Sequence, residues 1–539
     1  MSNKNIQPNF KDLSSPEPFI NEVNEFDKNS QPKKHVEILS ELLGQIEPID
    51  FKAIAYPNIE FIIKRLQKLG IKINDSENTD KLIYNLEKSI SEDHPESEVL
   101  SIELNKLKKL KLTNKHYTVI SIDNVLKIAE NNNWGLCRNN DFIYLYNGEY
   151  WANIETDDLK MFLGKASQKM GVEKIEAKYH LFKDNLLKQF LSSAYRPAPT
   201  PPKDIVNINL KNGTFEITPK GNRLKPFAPS DFITYQLPFD YDPEAKAPIF
   251  QNYLNEVLPE AEKQKIIAEY LGFVFVKDRN FLKLEKALIL FGTGANGKSV
   301  LFEVINELLG AENVSNFNLQ SLTEEKGYYR AKLVNKLVNY CSELSNKLNA
   351  PIFKSMASCE PVEACLKYGQ PFTMENYAKL IFNANELPKD VEHTDGFYRR
   401  FLIVPFDITI PEHQQDKQLA KKIIDNELSG VFNWILDGLQ RLIKQKKFSE
   451  CEAVKKALES YKTESNSIKQ FLNEFGYKSD PENFVLLKEL YSDYKCFCIE
   501  DGMSAFKKTN FSKQLKAMNF QFDRQSGTGQ NIIYISKQF

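Results

Sequence analysis

The sequence predicts a multidomain α/β protein in which a helical N-terminal region and an α+β collar precede a parallel α/β core and a C-terminal winged helix. The length of 539 residues corresponds to three or four domains of roughly 150 residues each. Apolar strand patterns alternate with helical patterns through residues 246–445, which is typical of a parallel sheet covered by helices. Within that region a strand, a glycine-rich loop and a helix follow one another over residues 287–310.

Changes in pattern along the chain give the expected boundaries of five segments. Residues 1–36 are polar and poor in aromatic side chains, which favours flexibility. Residues 37–136 carry apolar residues at helical spacing among charges. Residues 137–245 contain two strand pairs with Asn-Gly turns and form the predicted collar. Residues 246–450 form the core, and residues 460–539 end in helices followed by a hairpin, which is the order of a winged helix.

The composition of the whole chain does not identify a partner. The net charge is -1, so a nucleic-acid site would have to be a local basic patch or a channel lined by several subunits. The sequence has no run of roughly 18 apolar residues, and Met1–Asp27 lacks the apolar segment of a signal peptide. The seven cysteines are scattered apart from the pair Cys496 and Cys498. We therefore expect free thiols, a reducing cytoplasm and no membrane partner.

A phosphate-binding loop is the most specific motif. The apolar strand Ala287–Phe291 leads into GTGANGKS, which fits the pattern GxxxxGK[ST], and the helical pattern Val300–Leu309 ends at Gly310. Glycines let backbone N–H groups converge on phosphate oxygens, and the helix N-terminus adds partial positive charge. The predicted ATP-binding residues are Gly292, Thr293, Gly294, Ala295, Asn296, Gly297, Lys298 and Ser299. In this chemistry Lys298 reaches the β- and γ-phosphates and Ser299 holds Mg²⁺, so ATP and Mg²⁺ are the expected cofactors.

Two later strands end in polar residues suited to act on a bound nucleotide. Glu343 follows a mostly apolar strand and is predicted to position Mg²⁺ and the attacking water. Asn385 ends another apolar strand and could orient the same water, although an asparagine there could also cap a turn. Arg399 and Arg400 precede a further strand, and one of them is predicted to serve as an arginine finger for a neighbouring subunit. The alternative is an ordinary surface pair of arginines.

Taken together, the motifs GTGANGKS, NYCSEL, FNANELP and FYRRFLIVPF resemble the superfamily 3 helicases, and within them the poxvirus-type and phage/plasmid primase–helicase family. The likeness covers residues 140–539 and includes the segment Glu427–Leu439, which resembles the helix that commonly follows. The resemblance implies an AAA+-type P-loop ATPase core, a hexameric ring with ATP at subunit interfaces, and 3′-to-5′ translocation on single-stranded DNA. The sequence departs from the family at Cys365, where an arginine is common.

The predicted DNA contact lies in the segment before the Asn385 strand. Gly369 and Pro371 indicate a turn whose flanks could pair as a hairpin. The resemblance implies that such a hairpin projects into the channel of the ring. There Lys367 would meet a backbone phosphate and Tyr368 would stack on a base. The alternative is a surface hairpin whose Lys367 is solvated.

The resemblance implies a bacterial cytoplasmic DNA helicase that acts on forked DNA and is encoded by a phage, prophage or plasmid, with a primase or another replisome protein as a further partner. A P-loop ATPase that acts as a replication initiator or remodeller without processive unwinding is the first alternative. A non-enzymatic DNA-binding or scaffold protein with a degenerate ATPase is the second. The intact Lys298, Ser299 and Glu343 argue against the second alternative.

Overall fold

The computed structural model describes residues 35–71, 73, 79–92, 94–139, 142–196, 204–279, 281–344, 348–367, 369–388, 392–501, 503 and 505–538. It is a mixed α/β structure with two compact units. One unit combines Met1–Ile128 with Asp157–Leu187, and the other combines Ala129–Thr156 with Lys188–Phe539. The predicted flexible segment 1–36 lies outside the described residues as far as residue 34.

The first unit is helical. Its helices are α1 (His35–Gln45), α2 (Phe51–Ala55), α3 (Ile59–Lys68), α4 (Thr79–Ser91), α5 (Ser97–Lys109), α6 (Asn114–Asn131), α7 (Thr156–Met170), α8 (Lys174–Lys178) and α9 (His180–Ser193), of which α6 and α9 end in the second unit. Leucines at helical spacing on α4 and α5, among them Leu86 and Leu100, are fully buried and form its core. The first unit also includes helices that follow residue 156 in the chain. One contact that joins them to the N-terminal helices is the hydrogen bond of 3.0 Å from the N–H of Ile49 to the carbonyl oxygen of Met170. The boundary expected between residues 136 and 137 does not separate the two units.

The second unit begins with two small antiparallel sheets, which lie within the predicted collar, residues 137–245, apart from Leu136. Their strands are β1 (Leu136–Asn139), β2 (Phe142–Tyr146), β3 (Trp151–Ile154), β4 (Val206–Leu210), β5 (Gly213–Thr218) and β6 (Gly221–Lys225). Strands β2 and β3 pair from Tyr146 with Trp151, and β4 and β5 pair from Leu210 with Gly213. Both predicted Asn-Gly hairpins are thus confirmed.

A five-stranded parallel sheet forms the centre of the second unit. Its strands are β7 (Ala287–Phe291), β8 (Val314–Ser315), β9 (Val338–Cys341), β12 (Lys379–Ala384) and β13 (Phe401–Pro405), in the order β13-β7-β12-β9-β8. The antiparallel hairpin β10 (Val362–Cys365) and β11 (Pro371–Met374) lies between β9 and β12 in the chain. The strands read as near-continuous apolar runs because both faces of a parallel sheet are buried.

Helices surround the central sheet. They are α10 (Pro248–Val257), α11 (Ala261–Phe273), α12 (Lys298–Leu309), α13 (Leu319–Leu322), α14 (Tyr328–Ala331), α15 (Ala350–Ala357), α16 (Asp395–Tyr398) and α17 (Leu419–Gln445). The longest, α17, contains the segment Glu427–Leu439, as predicted. The buried Glu427 carboxylate accepts hydrogen bonds from the N–H groups of Ile249 and Phe250 at 2.9 and 2.8 Å, and so caps the first turn of α10.

The C-terminal part packs helices against a three-stranded antiparallel sheet. Its elements are α19 (Ser467–Glu474), β14 (Tyr477–Leu486), α20 (Leu487–Glu500), α21 (Lys508–Ala517), β15 (Phe522–Arg524) and β16 (Asn531–Lys537). Helix α18 (Glu452–Glu464) precedes them and packs against β13 of the central sheet. The sheet order is β14-β16-β15, so the predicted terminal hairpin is present. Phe471, Tyr494, Phe511 and Ile533 are buried together in a core of their own.

All seven cysteines are free thiols, including the neighbours Cys496 and Cys498. Among the described residues, no helix has the length and apolar content needed to cross a bilayer.

Candidate nucleotide-binding site

Strand β7 lies inside the parallel sheet and leads into the glycine-rich loop at its carboxyl edge. It pairs with β13 on one side and with β12 on the other. Its residues are buried except for the half-buried Phe291, and α12 begins at Lys298 directly after the loop. The predicted order of strand, loop and helix is therefore present.

Two loop positions require glycine. At Gly297 the φ angle is +84°, and a Cβ atom would lie 2.7 Å from Val257 and 3.0 Å from Tyr253. At Gly294 the φ angle is +117°, and a Cβ atom would meet open space. Side-chain-bearing residues rarely adopt either conformation. The glycines consequently let the backbone turn sharply while its outer face stays open to a ligand.

The side chain of Lys298 folds back into the loop. Its Nζ donates to the carbonyl oxygen of Gly292 at 2.7 Å and to Oδ1 of Asn296 at 3.0 Å. The Nδ2 of Asn296 donates in turn to the carbonyl oxygen of Phe406 at 3.3 Å. Burial lowers the pKa of Lys298 from its ordinary value. Asn296 therefore links the lysine to the residue that follows β13.

Neighbouring segments hold the loop backbone. The hydroxyl of Tyr253, on α10, donates to the carbonyl oxygen of Gly297 at 2.8 Å. The N–H of Ile410 donates to the carbonyl oxygen of Ala295 at 2.7 Å. Sequence reasoning missed both contacts, because a buried tyrosine on an amphipathic helix and a backbone N–H have no distinctive local signal. The loop is thus fixed from two sides before any ligand binds.

Asn385 lies next to the loop. Ala384, the last residue of β12, is level with Phe291 at the end of β7. Its carbonyl oxygen accepts a hydrogen bond of 3.0 Å from the N–H of Gly292. Asn385 follows directly and is exposed. The amide predicted to orient water therefore leaves its strand beside the first residue of the loop.

Glu343 leaves the sheet at the same edge, one strand further away. Cys341, the last residue of β9, is level with Phe382 on β12, so Glu343 is level with Ala384. The Glu343 side chain is exposed. Adjacent strands are roughly 4.8 Å apart, which leaves roughly 10 Å between the backbones of β9 and β7. A gap of this size is suited to a metal ion and a phosphate group between the carboxylate and the loop.

The two arginines differ in environment and lie at the opposite edge of the sheet. Arg400 is buried, and its guanidinium donates to the Ser358 hydroxyl at 3.3 Å and to the Gly396 carbonyl oxygen at 2.5 Å. Arg399 is 62% exposed and lies 3.2 Å from a carboxylate oxygen of Glu285. Burial acts to raise the pKa of Glu285, but Lys283 and the two arginines outweigh it and lower the pKa. Only Arg399 is open to another molecule.

The predicted hairpin before β12 is present. Strands β10 and β11 pair in antiparallel register from Val362 with Met374 to Cys365 with Pro371. Lys367 lies in the turn and is exposed. Tyr368, predicted to stack on a base, lies outside the described residues.

Aromatic side chains lie beside this hairpin. The carbonyl oxygen of Gly327 accepts a hydrogen bond of 3.5 Å from the N–H of Cys365, and α14 follows it. Tyr328 and Tyr329 on α14 are 38% and 40% exposed, and the ammonium of Lys332 lies 6.0 Å from the Tyr329 ring. The sequence signal for this feature is a pair of adjacent tyrosines followed by basic residues, which is not part of any motif named above.

The residues of the loop fit a nucleoside triphosphate with Mg²⁺. No side chain caps α12 at Gly297, so the N–H groups of Lys298 and Ser299 at its start can face an anion. Lys298 would contact the β- and γ-phosphates in place of its present carbonyl and amide acceptors. Ser299 is exposed in the first turn and, with Glu343, supplies the oxygen ligands that Mg²⁺ prefers beside phosphate. The bound metal would supply charge for phosphoryl transfer.

Comparison with known proteins gives matches to family models and to a named relative. A family of unknown function (DUF5906) matches residues 290–400, and a family described as D5 N terminal like matches residues 123–259. A protein of Acanthamoeba polyphaga mimivirus named "Putative helicase L207/L206" is 24% identical over 253 residues, which is 45% of this chain. The chain spans about a quarter of the length of that relative, 26%.

Solved structures give weaker similarities. The A form apo structure of the NrS-1 C-terminal region matches with a TM-score of 0.45 and 15% identity, and the match covers 76% of this chain and 98% of that one. A second apo structure of the NrS-1 C-terminal region (305-718) matches with a TM-score of 0.45 and 14% identity, over 78% of this chain and 99% of that one.

Proposed function

We propose that the protein is an ATP-dependent DNA helicase that moves 3′-to-5′ on single-stranded DNA during replication of a phage, plasmid or other mobile element. The observation that carries the proposal is the strand order β13-β7-β12-β9-β8. This order brings the glycine-rich loop, Asn385 and Glu343 to one edge of the sheet, with the Asn385 strand between the other two. A P-loop, an acid and a water-orienting amide so arranged form the chemistry of an AAA+-type ATPase.

The arginine geometry favours a ring. Residue 401 on β13 is level with residue 287, and the loop begins five residues later on β7. At about 3.3 Å per residue, residue 401 is roughly 16 Å from the loop along the strand, and Arg399 precedes it, so the loop of its own chain lies beyond the length of its side chain. An exposed arginine that cannot serve its own site is suited to serve a neighbour's. We therefore propose an oligomer, with six subunits as in the resembled family, and Arg399 as the finger.

Single-stranded DNA is the proposed track. The exposed Lys367 of the β10–β11 hairpin would contact a backbone phosphate. Tyr328 and Tyr329 beside the hairpin offer exposed rings on which bases of any sequence can stack. One such set per subunit would line a channel with positive charge although each chain carries net charge -1. The C-terminal helices and three-stranded sheet are proposed to be a winged helix.

The relatives support a replicative role. The mimivirus protein carries helicase in its name. The match to the D5 N terminal like family covers the segment before the proposed ATPase core, where the sequence pattern also predicts a collar. The alternative function is a replication initiator or remodeller with the same ATPase but without processive unwinding. The residues at the sheet edge account for ATP hydrolysis, but they do not distinguish between the processes that hydrolysis could drive.

Two assays test the proposal. ATP hydrolysis is measured with and without single-stranded DNA, beside a native mass measurement of the assembly. Strand displacement is then measured on forked duplexes with a 3′ or a 5′ single-stranded tail. DNA-stimulated hydrolysis by an oligomer that displaces strands only from the 3′-tailed fork is expected. Hydrolysis without displacement on either fork would favour the initiator or remodeller, and a protein without hydrolysis would refute both.

A further inference from the structure

Charge is segregated within the C-terminal part of the chain. Residues 505–538 contain six basic residues and one acidic residue, whereas residues 467–501 contain four basic and seven acidic residues. Helix α21 has no acidic residue at all. Among the described residues, no ion pair involves the basic side chains of this helix and its hairpin, namely Lys507, Lys508, Lys513, Lys516 and Arg524. These positive charges are therefore not neutralised by ion pairs within the described part of the chain.

Helix α21 presents the charge on one exposed face. Phe511 and Leu515 are fully buried and fix the inner face. At 3.6 residues per turn, Thr509, Lys513 and Lys516 lie on the opposite side, and all three are exposed. The helix has ten residues and is roughly 15 Å long. A helix of these dimensions with lysine and threonine outward fits the major groove of a DNA duplex.

The β15–β16 hairpin continues the same surface. The ammonium of Lys516 lies 5.2 Å from the centre of the Phe522 ring on β15. Arg524 is two residues further along this strand and so points to the same face as Phe522. The turn after Arg524 closes with a hydrogen bond of 2.8 Å from the N–H of Gln525 to the carbonyl oxygen of Gln530. Its tip consists of small residues, which allows close approach to a phosphate backbone.

The chemistry of this surface selects duplex over single-stranded DNA. Within residues 505–538, every aromatic side chain that the structure describes is buried or half-buried. Single strands are held mainly by stacking on exposed rings, which this surface lacks. Duplex DNA needs phosphate contacts and a helix in a groove, and both are offered here.

We propose that α21 and the β15–β16 hairpin form a binding site for duplex DNA, separate from the hairpin site proposed for single strands. The helix enters the major groove with Lys513 and Lys516, and Arg524 contacts the adjacent backbone or minor groove. The site goes beyond the proposed helicase function, since binding of a duplex needs neither ATP nor unwinding. It would hold the unopened part of a forked or origin duplex.

The test measures binding of the full-length protein, without nucleotide, to a labelled duplex of about two helical turns and to a single strand of equal length. The variant Lys513→Ala/Lys516→Ala is compared with Lys488→Ala/Lys495→Ala, whose lysines are exposed on α20 in the acidic half. The first is expected to weaken duplex binding by about tenfold or more and to reduce its salt slope by about 2, with single-strand binding unchanged. The second is expected to bind both as the unaltered protein does.

A third variant, Arg524→Ala, lies outside α21, so its effect cannot come from a disturbed helix. It is expected to weaken duplex binding and to leave single-strand binding unchanged. Equal losses in both lysine pairs would mean that only net charge matters and would overturn the inference. Duplex binding that survives both Lys513→Ala/Lys516→Ala and Arg524→Ala would overturn it as well. A protein that fails to hydrolyse ATP but shows the expected losses would refute the helicase proposal and leave the duplex site standing.

Discussion

The side-chain oxygen of Asn296 accepts a hydrogen bond of 3.0 Å from the ammonium group of Lys298. The same asparagine donates to the carbonyl oxygen of Phe406, so the lysine is anchored through one amide to the end of β13. In this arrangement Lys298 is held at the mouth of the loop by weak neutral acceptors. A phosphate group would replace these neutral acceptors with a negatively charged one, so that ionic attraction adds to the hydrogen bonds of the ammonium group.

Replacement of Lys298 tests the loop directly. We expect Lys298→Ala to reduce ATP turnover by at least about a hundredfold, because the charge that stabilises the transferred phosphoryl group is lost. The melting temperature should stay near that of the unaltered protein, as the lysine contributes two loop hydrogen bonds and no apolar core. Turnover and thermal unfolding are measured on the same sample. Near-normal turnover in this folded variant would remove the ATPase assignment.

The anchor of Lys298 gives a second prediction. Asn296→Asp removes the donor to Phe406 and places a negative charge where the phosphates are expected. ATP affinity, measured by titration with a fluorescent analogue, should fall by at least about tenfold, or roughly 1.4 kcal/mol. Asn426→Asp makes the same chemical change on an exposed position of α17 and should not alter affinity. Equal affinity in both variants would contradict a phosphate site at this loop.

Glu343 is predicted to act after binding. Glu343→Gln keeps the side-chain shape but removes the charge that positions Mg²⁺ and activates water, so hydrolysis should stop while ATP binding is retained. Both quantities are measured at saturating Mg²⁺. If the substitution instead weakened ATP binding while turnover at saturating ATP stayed normal, Glu343 would have a metal-holding or structural role.

Arg400 is buried and Arg399 is exposed, so we expect Arg400 to stabilise the fold and Arg399 to act in hydrolysis. Arg400→Ala should lower the free energy of unfolding by about 2–3 kcal/mol, since buried hydrogen-bonded partners such as Gly396 lose their donor. Arg399→Ala should change it by less than about 0.5 kcal/mol, because the Arg399 side chain is 62% exposed and Glu285 keeps its ion pair with Lys283. Arg399→Ala should nevertheless abolish hydrolysis. Chemical denaturation and turnover assays measure the two effects.

Mixed oligomers test whether Arg399 acts across an interface. Subunits with Lys298→Ala and subunits with Arg399→Ala are each expected to be inactive alone. Mixing them should restore part of the activity, because some interfaces then combine an intact loop with an intact arginine. Mixed rings that form, as judged by native mass measurement, yet stay inactive would disprove action in trans.

Lys367 is predicted to couple DNA to hydrolysis. Lys367→Ala should keep basal turnover but lose its stimulation by single-stranded DNA, together with strand displacement. The salt dependence of single-strand binding should flatten, since fewer counterions are released. Lys220→Ala removes an equally exposed lysine from the turn between β5 and β6 and should leave both unchanged. Normal stimulation in Lys367→Ala would place the DNA contact elsewhere on the protein.

Local sequence patterns were sufficient for features made by neighbouring residues. The loop from Gly292 to Ser299 was predicted because its flanking strand and helix are contiguous with it. The hairpins at residues 146–151 and 210–213 were predicted from turn residues that favour left-handed backbone conformations. The assignment of Asp157–Leu187 to the N-terminal helices was not predictable. It depends on which surface the apolar face of α7 packs against, and amphipathic spacing does not specify the partner.

By itself, the sequence determined that a glycine-rich loop of the pattern GxxxxGK[ST] follows an apolar strand, that Glu343 and Asn385 each follow another strand, and that two arginines precede a fourth. Only the tertiary structure decided that the Asn385 strand lies between the other two, and that Arg400 is buried while Arg399 is exposed. Periodicity reports which side of a segment is apolar, within a few residues of the chain. Strand order and side-chain burial arise from contacts between residues far apart in sequence, where the packing of the whole sheet, and no local preference, selects the partner.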